Sequence, residues 1–347
     1  MTGLTHPEVS VVVCTRNGEP TLTATLLGLR RQSLDSARYE VIVVDDGSTD
    51  RTTEVAESHG ARVVEPGPPG GLAAARNAGV SASRGDVIAF TDDDCEPEES
   101  WLETLLACFT DARIDGVGGR VVPACSTGFL LRYLQARNPL SPLPAELLRS
   151  TRLKYRLRLY LRSVLQSRPG LRAGAALYSP VGANMALRKD VVLGLGGFDP
   201  AFRFGFEEED LCRRGHRRAE GLRIRYEPGA VVVHSFDRHW KDSLRRAWSY
   251  GRGHGLATAK DVDLRPIVYP FPVMSVVAFI LALVGRRGTP LIFVLLAPLA
   301  VYARWPARAW GTRSPEPLAY PYLQLAEEVW TMLGELQGWR AGYFSDQ

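Results

Sequence analysis

Three consecutive aspartates, Asp92, Asp93 and Asp94, stand directly behind the apolar run of DVIAFTDDDCEP. Adjacent carboxylates repel one another, so such a cluster at a buried strand end needs water or a cation to neutralise it. Asp92 and Asp94, two apart, can offer hard oxygen ligands to the Mg2+ or Mn2+ that accompanies a diphosphate. A second pair, Asp45 and Asp46, ends the apolar run of YEVIVVDDGSTD and leads into turn residues. An acid in that place can accept hydrogen bonds from a ribose hydroxyl or a base N–H. Arg76, in the small-residue stretch GLAAARNAG, supplies a countercharge for acidic strand ends or for a ligand phosphate.

These residues meet only if the chain builds a sheet whose strand ends converge. VSVVVCT (9–15), YEVIVVDDG (39–47), ARVVEP (61–66) and DVIAFTD (86–92) are near-continuously apolar and β-branched, as strands covered on both faces by helices must be. Between them lie three helix-compatible segments, each closed by polar residues or glycine. The resulting βαβαβαβ pattern predicts an α/β domain with a mostly parallel, Rossmann-like sheet. Ligands of such sheets bind outside the carboxyl ends of the strands, where CTRN, DDGS and TDDD would converge.

At 347 residues the chain suits one large domain with an appendage, or two domains. With 45% apolar and 23% charged residues it is globular in composition, and a net charge of +4 does not point to nucleic acid. Five scattered cysteines without a CxxC spacing argue against a disulfide framework and a zinc site. A reducing cytosol is the natural setting, and MTGLTHPEVS lacks the pattern of a secretory signal.

Two segments depart from the α/β pattern. Residues 126–172 include LLRSTRLKYRLRLYLRSVLQSRPGLR, basic and leucine-rich without one acid, read as a helical insertion that covers the core or meets an anionic surface. Residues 268–303 hold two apolar runs split by Arg286 and Arg287. Each run is at or below the roughly 20 residues that span a bilayer, and each contains proline. Two full spans would put both arginines on the outer side, so a re-entrant or interfacial hairpin is the favoured reading over spans or a core helix pair. The domains expected are 1–240, with the insertion, and a helical region 241–347.

VVVCTRNGE, VIVVDDGSTDRT, AAARNAG and FTDDDCEP, followed by GANMALRKDVVLGLGGFDPAF, FEEEDLCRR and AVVVH, together resemble the family-2 glycosyltransferases of GT-A fold. The order and spacing match over roughly residues 8–236. The resemblance implies that Thr15 and Arg16 line a nucleotide pocket, that Asp46 contacts the base, and that Arg76 lies near base or phosphates. It implies Asp92 and Asp94 as metal ligands, with Asp92 also towards the ribose, and His234 as a further contact to metal or phosphate. FEEEDLCRR takes the place of the catalytic base, with Glu208 or Asp210 as the proton acceptor. Asn184 would hydrogen-bond in the sugar or acceptor pocket. SLRRAWSYGRGHG has no glutamine three residues before an Arg-Trp pair, so single sugar addition is expected rather than polymerisation.

The expected activity is inverting, metal-dependent transfer of one sugar from a nucleotide-diphosphate sugar, with no nucleic acid partner. The acceptor is expected to be lipid-linked or part of an envelope glycan, reached at the cytoplasmic face of the cell membrane. A sugar-1-phosphate nucleotidyltransferase would begin with a glycine-rich basic loop, which CTRNGEP lacks. A receiver domain would be shorter, an oxidoreductase would show GxGxxG after the first strand, and a non-catalytic nucleotide-sugar binder would differ only in activity.

Overall fold

The computed structural model describes residues 6–125, 127–146, 152–165, 170–236, 239–261, 269–285 and 288–345. The chain forms two compact units: Met1–Leu148 with Leu171–Phe236, and Arg149–Gly170 with Asp237–Gln347. The basic helix Leu153–Leu165 belongs to the second unit, whereas its sequence position suggested an insertion in the first.

The first unit is an α/β domain on one ten-stranded sheet. Its strands are β1 Val9–Thr15, β2 Tyr39–Asp45, β3 Arg62–Val64, β4 Val87–Asp92, β5 Cys95–Pro97, β6 Gly116–Pro123, β7 Leu143–Pro144, β8 Ala176–Ser179, β9 Met185–Arg188 and β10 Ile224–His234. Their order is β3-β2-β1-β4-β9-β6-β10-β8-β7, with β5 paired to β10. The four strands expected from the apolar runs are all present and mutually parallel, while β9 enters antiparallel between β4 and β6.

Register explains why the acids meet. In β1 and its neighbours, Thr15 lies opposite Asp45 and Cys14 opposite Asp92, so three strands end at the same level. Both side-chain sets of the central strands are buried: Val12, Ile42, Val44, Ile88 and Phe90 on one face, and Val11, Val13, Val43 and Ala89 on the other. The first set packs with Ala73, Ala75 and Val80 of the helix Leu72–Ala82, and with Phe198 and Leu211. Arg76 therefore leaves a helix anchored to the sheet it faces.

The second unit is helical. Helices Trp240–Lys260 and Tyr320–Ser345 pack backbone against backbone: a Cβ at Gly251, Gly255, Gly334 or Gly338 would strike a carbonyl oxygen of the opposite helix. That spacing of small residues permits close approach. Buried polar pairs hold the register, with Ser243 Oγ donating to Glu327 at 2.7 Å and His254 Nδ1 2.8 Å from Glu335. Glu328 accepts from the hydroxyls of Tyr160 and Tyr302 at 2.9 and 2.8 Å. The apolar runs form helices Pro270–Gly285 and Gly288–Val301; Arg286 and Arg287 lie outside the described residues. Among the described residues no single helix is long and apolar enough to cross a membrane, though Ile292–Val301 and Arg304–Thr312, bent by 71°, pass that test together.

Candidate active site

Past β4 the chain turns through Asp93 and Asp94 into β5, which pairs antiparallel with the end of β10 and sets Cys95 opposite His234. Ser235 N donates to Asp94 O at 2.9 Å, which fixes this junction. One ligand atom from each of Asp92, Asp94, Cys95 and His234 lies within 4.8 Å of the others, and His234 Nε2 is 3.3 Å from Asp94 Oδ1. Burial, reinforced by the carboxylates of Asp92 and Asp94, pushes the Cys95 thiol well up, so it sits protonated. Two carboxylates and an imidazole remain, a donor set that suits a hard divalent cation. Asp93 faces the other way and accepts a hydrogen bond from the Thr15 hydroxyl.

Arg76 links this cluster to the second acidic group. Its guanidinium is buried between the rings of Phe90 and Phe198, 5.8 and 5.6 Å from their centroids. Nη1 donates to Glu207 at 2.7 Å and lies 3.8 Å from Glu208, while Nη2 is 3.9 Å from Asp92. Surrounded by carboxylates, the guanidinium is held above its ordinary range and stays charged. Glu207 is fully buried, and burial with the neighbouring charge of Glu208 pushes its carboxyl up to about 8 against the pull of Arg76. Of the two carboxyls Glu208 is the more open, its side chain 16% exposed against 2% for Glu207.

The acids arrive there by a strained turn. Gly205 and Phe206 both have positive φ, 82° and 81°, and the helix Glu207–His216 starts at once with Glu207, Glu208, Glu209 and Asp210 in its first turn. A helix N-terminus favours negative charge. A left-handed phenylalanine is costly and points to a site whose geometry outweighs local comfort.

Other expected site residues hold structural positions. Asp210 is buried and salt-bridged to Arg213 at 2.6 Å and Arg214 at 2.7 Å, so it is not placed to take a proton from a substrate. Through Arg214, which donates to the carbonyls of Leu195 and Gly197, it braces the turn before Phe198. Asn184, expected to meet a ligand, is fully buried; it accepts from Trp101 Nε1 at 2.9 Å and donates to Arg120 and Ala230 carbonyls at 3.1 and 2.9 Å. It ties the segment before β9 to β6, β10 and the helix Trp101–Cys108. Asp46 accepts from the backbone N–H groups of Gly70 and Gly71 at 2.7 and 2.9 Å, holding the loop ahead of Arg76 at the rim. Thr15 is buried at the end of β1, and Arg16 is exposed in the loop beyond it.

Sequence reading missed three participants. Glu207 was passed over for its neighbour, and only burial distinguishes them. Cys95 directly follows the aspartates, but its facing of His234 depends on the β5–β10 pairing. Asn77, adjacent to Arg76, clasps both backbone groups of Phe198 at 2.7 and 2.8 Å and so shapes the aromatic sleeve of Arg76.

Comparison with known proteins identifies the family and the fold. Residues 10–179 match the family described as glycosyl transferase family 2. A pre-mycofactocin glycosyltransferase of Mycobacterium tuberculosis is 32% identical over 252 residues, covering 72% of this chain and 47% of that protein. Glycosyltransferase AglE of Haloferax volcanii is 34% identical over 122 residues, 34% of this chain and 40% of its own. The chain thus spans less than half the length of these curated relatives. Among solved structures, a mannosyltransferase of Pyrobaculum calidifontis in complex with GDP-Man and Mn2+ matches with a TM-score of 0.58 at 21% identity, covering 94% of this chain and 88% of that one, a likeness of fold.

Proposed function

Because the chain belongs to glycosyl transferase family 2, we propose that it moves one sugar, with inversion, from a nucleotide-diphosphate sugar to an acceptor hydroxyl, assisted by a divalent cation. The observation that carries the reading is Arg76, which lies within 4 Å of both Asp92 in the candidate cation cluster and Glu208 in the acidic pair. Leaving-group and base chemistry would thereby share one crevice.

Asp92, Asp94 and His234 would hold the cation, which when bound would offset charge developing on the leaving diphosphate. Arg76 would add a fixed positive charge to the same region. Glu208 would take the acceptor proton as the hydroxyl attacks the anomeric carbon from the face opposite the diphosphate. Glu207, retaining its proton, keeps the pair from carrying two negative charges beside the nucleophile. The acceptor is expected on a lipid-linked or envelope glycan, in keeping with the apolar helices Pro270–Gly285 and Gly288–Val301, at the cytoplasmic face of a membrane.

The test is binding and hydrolysis of UDP-, GDP- and dTDP-sugars by wild type and Asp94→Ala, with Mg2+, Mn2+ or chelator. One donor should bind in a metal-dependent way that Asp94→Ala abolishes. Binding indifferent to both metal and the substitution would remove the cation from the proposed mechanism, and no binding of any donor would remove the transfer reading itself.

A further inference from the structure

The helices Pro270–Gly285 and Gly288–Val301 present an outer surface unlike that of a water-facing protein. Ile280, Leu283, Val284, Ile292, Leu295 and Leu296 are each more than half exposed, Val284 at 80%. Exposed apolar surface this continuous marks a partner or a membrane. At 16 and 14 residues the helices are about 24 and 21 Å long, short of the roughly 30 Å hydrocarbon layer. Elsewhere in the same unit, Ser243, His254, Tyr160 and Tyr302 are buried in hydrogen bonds to glutamates.

Charge indicates the occupant. Residues 264–315 contain six arginines, Arg265, Arg286, Arg287, Arg304, Arg308 and Arg313, and not one acid. The helix Arg304–Thr312 follows the hairpin with Arg308 exposed and Trp310 89% exposed. A water-facing indole open to that degree is out of place, but at a membrane interface its apolar body meets acyl chains and its N–H meets headgroups. A protein partner would be met by a more mixed surface, since even apolar interface cores are ringed by polar groups.

We propose that this hairpin is seated in an anionic phospholipid bilayer, its outer face in the acyl region and the Arg308–Trp310–Arg313 segment at headgroup level. The inference is independent of the transfer reading. Each juxtamembrane arginine adds attraction to an anionic leaflet, whereas the apolar face supplies affinity indifferent to headgroup charge.

The experiment is flotation of the full chain with phosphatidylcholine vesicles and with vesicles carrying about a third phosphatidylglycerol. The wild type should float with both and more strongly with the anionic set. Leu283→Glu/Val284→Glu/Leu296→Glu should lose about tenfold or more of the bound fraction on both, since an acid set into acyl chains is strongly disfavoured. Arg308→Glu/Arg313→Glu should lose only the anionic preference, and Trp310→Phe should lower quenching of protein fluorescence by brominated lipid. An unchanged circular-dichroism spectrum shows that the variants fold. Absence of flotation, flotation that survives the triple substitution, or a lipid-independent dimer that the triple substitution dissociates would each overturn the proposal, the last assigning the face to a second copy of the chain.

Discussion

Glu208 and Asp210 are two residues apart in one helix, yet their surroundings predict opposite phenotypes. Asp210 is buried between Arg213 and Arg214, whose side chains are 14% and 28% exposed, and Arg214 in turn holds the carbonyls of Leu195 and Gly197. Removing one partner of a fully buried ion pair costs about 3–5 kcal/mol; discounting for the partly exposed arginines leaves roughly 2–3 kcal/mol for Asp210→Asn. For a unit near 200 residues that lowers the melting temperature by roughly 4–12 °C. Glu208 has a long contact from Gly182 N–H, 3.4 Å, the 3.8 Å approach of Arg76, and a side-chain hydrogen bond with Glu207 that a glutamine amide can still make, so Glu208→Gln should leave the melting temperature nearly unchanged. Loss of a general base costs about 100- to 10,000-fold in rate. Calorimetric melting beside steady-state transfer with the identified donor should give a crossed result: Glu208→Gln stable, donor-binding and nearly inactive, Asp210→Asn destabilised but active at temperatures where it stays folded. A stable Asp210→Asn with rate loss of that size, beside an active Glu208→Gln, would refute the assignment of the base.

Three further outcomes follow from the same geometry. Asn184→Ala strands one indole N–H and two carbonyls in the core, each costing about 1–3 kcal/mol, so urea unfolding should show a loss of at least about 3 kcal/mol while the donor affinity of the folded protein is kept. Folding lifts the Glu207 carboxyl from its ordinary 4.5 to about 8, so the folded chain holds a proton that the unfolded chain releases. That stability is full below pH 4.5 and is lost as pH rises through 8, with a slope of at most about 1.4 kcal/mol per pH unit; Glu207→Gln should flatten the slope in urea melts at pH 5.5, 7 and 8.5. Gly182→Ala puts a methyl group against the buried Arg76 guanidinium, an overpacking that should cost about 1–3 kcal/mol, lower the melting temperature by roughly 2–12 °C, and cut kcat/KM by about 100-fold where the protein stays folded.

The parts legible in sequence were those that local chemistry dictates. β-branched runs gave β1 to β4, and acids emerging from apolar strands gave the strand-end cluster, because a carboxylate in that position has few other uses. What stayed hidden depended on long-range pairing. Asn184 reads like a ligand amide until β9 is found threaded antiparallel between β4 and β6, which surrounds it with core. Asp210 reads as readily as Glu208 for a base, because helical phase alone does not reveal that Arg213 and Arg214 turn back onto it. The left-handed Phe206 was likewise unforeseeable, since nothing in FGFEEED requires positive φ beyond its glycine. The turn matters because a helix begun one residue earlier or later would rotate the acids by about 100°. Glu207 would then leave Arg76, and Glu208 would leave the crevice shared with Asp92. The strain at Phe206 is therefore the local cost of aiming two adjacent glutamates at one arginine, one buried to keep a proton and one left open to take it.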